Sequence, residues 1–162
     1  MRDLIELTQI VTRNKLRSVE LIGDSAGGNL VLVTAQKLAA LKLPLPASLV
    51  CFSPVTDMTA EQLHAPAAGD PLLHPSWLDS ARDAYCPAGL DRADPMVSPL
   101  FGQLKGLPPL LLQVGEDEVL LNDSLRLAEA ARAADVAVRL ERYEDLWHVF
   151  QAHAGLLHSA DA

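Results

Sequence analysis

The 162-residue chain is 49% hydrophobic and 21% charged, with a formal net charge of -8 at neutral pH. That length suits one domain with its own buried core, and the acidic balance, with no basic stripe, excludes nucleic acid and anionic membrane surfaces as expected partners. Cys51 and Cys86 lack metal-ligand spacing, the N-terminus does not read as a signal peptide, and no apolar run approaches a membrane span, so a cytoplasmic chain with reduced thiols is expected.

The predicted elements follow in chain order. Leu4, Ile5, Leu7, Ile10 and Val11 recur at helical spacing and predict an opening helix over residues 2–14. Residues 19–23 read as a strand and 26–41 as an Ala- and Leu-rich helix, stopped by Pro44 and Pro46. Residues 47–52 form a second buried strand. From Pro54 to about Pro109 the pattern loosens into prolines, turns and short helical pieces, with residues 77–85 the best helix among them. Residues 110–114 are a third strand, 123–134 a helix, 136–143 a fourth strand and 149–157 a final helix. Strands alternating with helices imply a mostly parallel sheet with helices on both faces. The 54–109 insert is too long for a plain connection and reads as a cap over a site.

Between the first strand and its helix stands Gly23-Asp24-Ser25-Ala26-Gly27-Gly28-Asn29. A strand running into G-x-S-x-G and straight into a helix describes a nucleophile elbow, in which a tight turn lifts a serine hydroxyl clear of the sheet. Flanking glycines leave room at that turn, and the helix N-terminus aims backbone amides, that of Ala26 first, at the place where an oxyanion would form. Such a serine needs a base, and the base needs a carboxylate to fix its tautomer, in the chain order serine, acid, histidine. Of five histidines, only His148 follows directly on the end of a strand; His64 and His74 fall in the cap, and His153 and His158 on the closing helix. The third strand ends in Gly115-Glu116-Asp117-Glu118, which offers three adjacent carboxylates.

Five segments together resemble the bacterial hormone-sensitive lipase family of carboxylesterases: the elbow at 23–29, Asp94-Pro95-Met96-Val97-Ser98-Pro99-Leu100, Leu107-Pro108-Pro109, Gly115 through Ser124, and Trp147-His148-Val149-Phe150. The resemblance implies an α/β-hydrolase fold with a helical cap, and hydrolysis of short-to-medium acyl esters without a cofactor or metal. It supplies Ser25 as nucleophile and His148 as general base. Its acid-loop register, laid without gaps on residues 115–123, selects Glu118, with neighbouring Asp117 as the alternative acid. Glu116 and Asp123 are expected to be loop or helix-start carboxylates, Asp123 near a helix N-terminus. Asp24 is a candidate for the substrate site or a solvated turn residue; Leu72, Leu73, Trp77 and Leu78 are candidates for a substrate pocket or for the cap's own small core.

One departure from the family pattern stands out. Family members carry a His-Gly-Gly-Gly segment well before the elbow, whose amides complete the oxyanion hole, whereas the 24 residues before Ser25 contain no histidine and Gly23 as their one glycine. The match corresponds to a C-terminal half. The expectation is therefore a first strand with an uncovered edge, closed by a second copy of the chain or by a missing N-terminal half. Two functional readings remain open: a serine carboxylesterase acting on a small-molecule ester, or a catalytically silent α/β-hydrolase fragment or binding module.

Overall fold

The computed structural model describes residues 18–157, so the helix expected over residues 2–14 lies outside the described residues. Four strands, β1 (Glu20–Asp24), β2 (Ser48–Phe52), β3 (Leu110–Gly115) and β4 (Val138–Tyr143), lie side by side in that order, and every neighbouring pair is parallel. Helix α1 (Ala26–Ala40) links β1 to β2, α2 (Pro75–Tyr85) lies in the long insert, and α3 (Leu121–Ala133) links β3 to β4. The strand and helix bounds expected for these seven elements agree to within two residues.

The two-residue period of a strand sorts the sheet into faces. Leu49 and Cys51 of β2 and Leu110 and Leu112 of β3 join Val31, Leu32 and Ala35 of α1 and Leu127, Ala128 and Ala131 of α3 in a single buried cluster. Both long helices therefore lie on one face. Right-handed crossovers that step repeatedly in one direction across a sheet place their helices on the same side, and the sheet is the parallel one expected of an α/β-hydrolase. On the opposite face the described residues supply a short turn: the Phe150 ring packs 4.7 Å from that of Tyr143, and Gln151 Nε2 donates to Gln113 Oε1 at 3.3 Å.

That turn replaces the final helix expected over 149–157. It is a single 3-10 turn, Phe150–His153, bracketed by Val149 at φ 51° and Gly155 at φ 80°. Left-handed residues on either side cannot propagate a right-handed helix. The insert builds a second small core from Val55, Met58, Leu78, Cys86 and Val97, and this core packs on Val119 and Leu120. The cap is thus seated on the segment that follows β3. Among the described residues β1 pairs only with β2, and Ile22 on it is 61% exposed.

Register and close packing bring the C-terminal strand ends together. Asp24 lies beside Phe52, and Gly115 beside Tyr143, so the chain leaves all four strands at the same end of the sheet, where open α/β sheets place their sites. Two glycines make that end compact. A Cβ on Gly23 would stand 2.5 Å from the Gly27 carbonyl carbon and oxygen, and one on Gly115 would collide with the Leu146 carbonyl. Both obstacles are backbone and cannot swing aside. Gly23→Ala is accordingly expected to destabilise the fold by about 1–3 kcal/mol, the cost of overpacking a filled site. Urea unfolding measures it, and a midpoint equal to that of the parent would contradict the packing argument.

Candidate active site

The elbow forms because β1 ends where α1 begins, leaving Ser25 alone to make the turn. Ser25 takes φ 50° and ψ -116°, a strained conformation for a residue with a Cβ. It is held there from both sides: its N–H donates to Phe52 O at 2.8 Å, and its carbonyl accepts from Asn29 N at 3.2 Å and Val55 N at 3.1 Å. Asn29, itself buried, donates through Nδ2 to Val55 O and Val97 O at 2.9 and 2.8 Å, tying α1 to both ends of the insert.

Ser25 Oγ lies 3.0 Å from His148 Nε2, and His148 Nδ1 lies 3.5 Å from Glu118 Oε1. The carboxylate facing the imidazole is therefore that of Glu118, which has no exposed surface. Asp117 is half-buried and contributes its backbone N–H to Leu146 O at 2.9 Å, which fixes the two loops against each other. The 3.5 Å separation is long; such contacts commonly tighten once a substrate is bound. The other Glu118 oxygen, Oε2, holds the short bonds, accepting from Ser53 Oγ at 2.6 Å and from Gly115 N at 3.0 Å.

Ser53 was not foreseen. It sits at the end of β2 with φ 46°, fully buried, and its own N–H donates to Gln113 O at 2.8 Å. Its hydroxyl donates to Glu118 and accepts from Val149 N at 3.2 Å, bridging the acid to the residue after His148. A serine before proline reads as a strand terminator; only the fold brings it to a carboxylate 65 residues away.

The remaining candidates fall elsewhere. Ala26 opens α1, so its N–H is among the first-turn donors without an intrahelical acceptor, and the residue borders the cavity over Ser25. That cavity measures about 340 Å3; Leu73, Trp77 and Leu78 form part of its wall, while Leu72 and Asp24 lie outside it and are exposed. Leu78 serves both the wall and the cap core. A wider hollow of about 500 Å3, bordered by Glu20, Ser48 and Ala137, lies at the opposite end of the strands and contains none of these side chains. His74 caps α2, accepting from Ser76 N at 3.3 Å; His153 packs edge-on to Trp147 at 5.6 Å; His158 is outside the described residues. Glu116 pairs with Arg142 at 2.8 Å. Among the described residues no group of three or more His, Cys, Asp and Glu side chains could hold a metal ion.

A second acid is buried as well. Asp123, in the first turn of α3, accepts from Thr56 N at 2.6 Å and Asp57 N at 3.0 Å, pinning the start of the insert. Burial pushes its carboxyl up from the usual 3.8 to about 6, with the nearby Asp57 adding to the rise against those bonds. Asp57 moves the other way: burial favours its neutral form, but bonds from Thr59 and Arg126 outweigh that and hold it below its ordinary value.

A strained serine, an imidazole at hydrogen-bonding distance and a buried carboxylate behind it, at the C-terminal end of a parallel sheet, define an α/β-hydrolase. A family model described as alpha/beta hydrolase fold matches residues 2–152, and the chain belongs to that family, in its bacterial hormone-sensitive lipase branch. It is 39% identical over 139 residues to an esterase of Acinetobacter venetianus, covering 85% of this chain and 46% of that protein. It is 40% identical over 134 residues to an acetyl-hydrolase of Streptomyces hygroscopicus, covering 82% and 44%. A crystal structure of an esterase from the bacterial hormone-sensitive lipase family superposes with a TM-score of 0.88 at 35% identity, over 98% of this chain and 55% of that one. The chain thus spans about half the length of the curated relatives it matches.

Two outcomes follow from the polar core. Ser53→Ala leaves a buried charge short of a donor and is expected to lower unfolding free energy by about 2 kcal/mol; an unchanged urea midpoint would show that the Ser53–Glu118 bond contributes nothing. Asp123 binds its proton more tightly folded than unfolded, so its penalty on stability grows as pH rises from 3.8 through about 6. Asp123→Asn keeps an acceptor oxygen but cannot ionise. Its stability relative to the parent should therefore improve across that window, and a constant difference between the two unfolding curves would clear Asp123 of the effect.

Proposed function

We propose that the chain carries the site of a serine carboxylesterase acting on short-to-medium acyl esters. The observation that carries this reading is the 3.0 Å contact between Ser25 Oγ and His148 Nε2, backed by the buried Glu118 carboxylate. In the proposed reaction Ser25 Oγ attacks the ester carbonyl carbon while His148 Nε2 takes the hydroxyl proton. Glu118, on the far side of the ring, holds the imidazole in place and stabilises the imidazolium. The carbonyl oxygen becomes an oxyanion, toward which the Ala26 N–H donates. Collapse of that intermediate breaks the bond to the alcohol, which leaves with the His148 proton. Water then attacks the acyl-Ser25 carbonyl, gives a proton to His148, and frees the acid and the serine.

The apolar cavity over Ser25 supports an acyl or alcohol group as its occupant, and the names of the relatives, esterase and acetyl-hydrolase, support ester hydrolysis. The two free thiols, both buried, support a reducing, cytoplasmic setting. No described helix is long and apolar enough to cross a membrane. Among the described residues one edge of β1 has no partner strand, which supports cover by a further strand, from a second copy or from a longer chain.

Release of p-nitrophenol from the acetate and butyrate esters tests the reading. Ser25→Ala is expected to slow it at least about a thousandfold, and Glu118→Gln by about a hundredfold or more, with Asp117→Asn close to the parent. Equal rates for the parent and Ser25→Ala would instead leave a catalytically silent α/β-hydrolase module. A larger loss in Asp117→Asn than in Glu118→Gln would exchange the roles of the two acids.

A further inference from the structure

The cavity over Ser25 has a charge that ester hydrolysis as such does not require. In a chain with 21 acidic and 13 basic residues, the one ionised side chain among the described residues bordering this cavity is a cation, Arg82. Trp77, Leu78, Ala81, Arg82 and Tyr85 recur at helical spacing, so a single face of α2 looks onto the cavity, with Arg82 the charged residue on that face. The Arg82 side chain is 8% exposed, and a guanidinium cannot shed its charge. Of its five N–H donors, one at Nη2 meets Asp79, whose side chain is 65% exposed and whose pull is therefore screened by water. Arg82 Nε is buried with no partner at all. A buried cation with unfilled donors costs stability unless an anion completes it.

Resting on the esterase reading above, we propose that this cavity selects esters whose acyl chain ends in a carboxylate. The chain lies along Leu30, Val55 and Leu78, and its far carboxylate meets the Arg82 guanidinium. Half-esters of dicarboxylic acids are the substrate class. The reacting carbonyl sits at Ser25 and the hydrolysis is unchanged; Arg82 touches the end of the substrate remote from the chemistry. At about 340 Å3 the cavity lies near the small end of the roughly 300–1,000 Å3 typical of ligand pockets, which suits one short chain with a terminal carboxylate.

Binding measured without turnover separates this inference from the esterase reading. Monoethyl adipate and diethyl adipate, equal in acyl chain and different in charge, are titrated calorimetrically into the Ser25→Ala protein. The half-ester is expected to bind about tenfold tighter or better, as a charge-assisted contact to Arg82 provides, and added salt should narrow the gap. Arg82→Met should abolish the preference and Arg82→Lys should retain part of it. Asp79→Asn, which removes the competing carboxylate from the exposed side of α2, should strengthen it and keeps the question open to test even if Arg82→Met does not fold. Equal affinities for the two esters, no binding of either, or an Asp79→Asn protein with no gain for the half-ester would each overturn the inference. Tight binding of the half-ester with no turnover by the parent would instead sink the esterase reading and leave the selectivity standing.

Discussion

A carboxylate with no exposed surface sits where three strands end, and the geometry of the site depends on keeping it satisfied. Glu118 accepts from Gly115 N at the end of β3 and from Ser53 Oγ at the end of β2, and it faces His148 just beyond β4. Each bond offsets part of the cost of burying the charge, and each also fastens a different loop. Ser53 does this twice, since its oxygen also receives the Val149 N–H. The acid, the loop after β2 and the histidine loop are therefore bonded to one another. What looks like a local relay is the polar knot that closes the C-terminal end of the sheet.

That knot accounts for part of the left-handed backbone, which among the described residues also occurs away from it at Lys42, Ala60 and Asp135. Ser25, Ser53 and Val149 all have φ near +50°, and all three lie in the strand-end turns that surround the relay. A side chain in that region costs on the order of 1–3 kcal/mol when nothing compensates it. Here the compensation is visible: Ser25 is held through Phe52 O, Asn29 N and Val55 N, and Ser53 through Gln113 O and Glu118. The sheet supplies rigid anchors, and the turns convert that rigidity into the aim of a hydroxyl and an imidazole.

The parts legible in the sequence were those governed by short-range rules. The elbow was readable because strand, G-x-S-x-G and helix are contiguous, and His148 because it alone follows directly on a strand end. Glu118 was legible only through the resemblance, whose acid-loop register selects it from three adjacent carboxylates, and it is the carboxylate that faces His148. Ser53 and Arg82 were illegible for the opposite reason. A Ser-Pro pair carries only a strand-stop signal, and an arginine on an amphipathic cap helix reads as solvated until the fold buries it. The last helix failed on backbone geometry, because apolar spacing over residues 149–157 gives no sign that Val149 adopts a left-handed conformation. The shared face of α1 and α3 is a property of repeated crossovers, which no single segment encodes.

The cap and the knot meet through Val119 and Leu120, which follow Glu118 directly and pack into the same small core as Leu78 of α2. This contact gives the insert a physical reason to be where it is. It shields the Glu118 segment from water, which preserves the low-dielectric surroundings in which a buried carboxylate acts strongly on an imidazole. It also sets the height of α2 above Ser25 and thereby the size of the cavity. Asp123 reinforces the same seat from below by clamping the Thr56 and Asp57 amides. Because one packed contact both covers the Glu118 segment and positions the cavity wall, a change in cap packing would reach the buried carboxylate and the cavity's shape together.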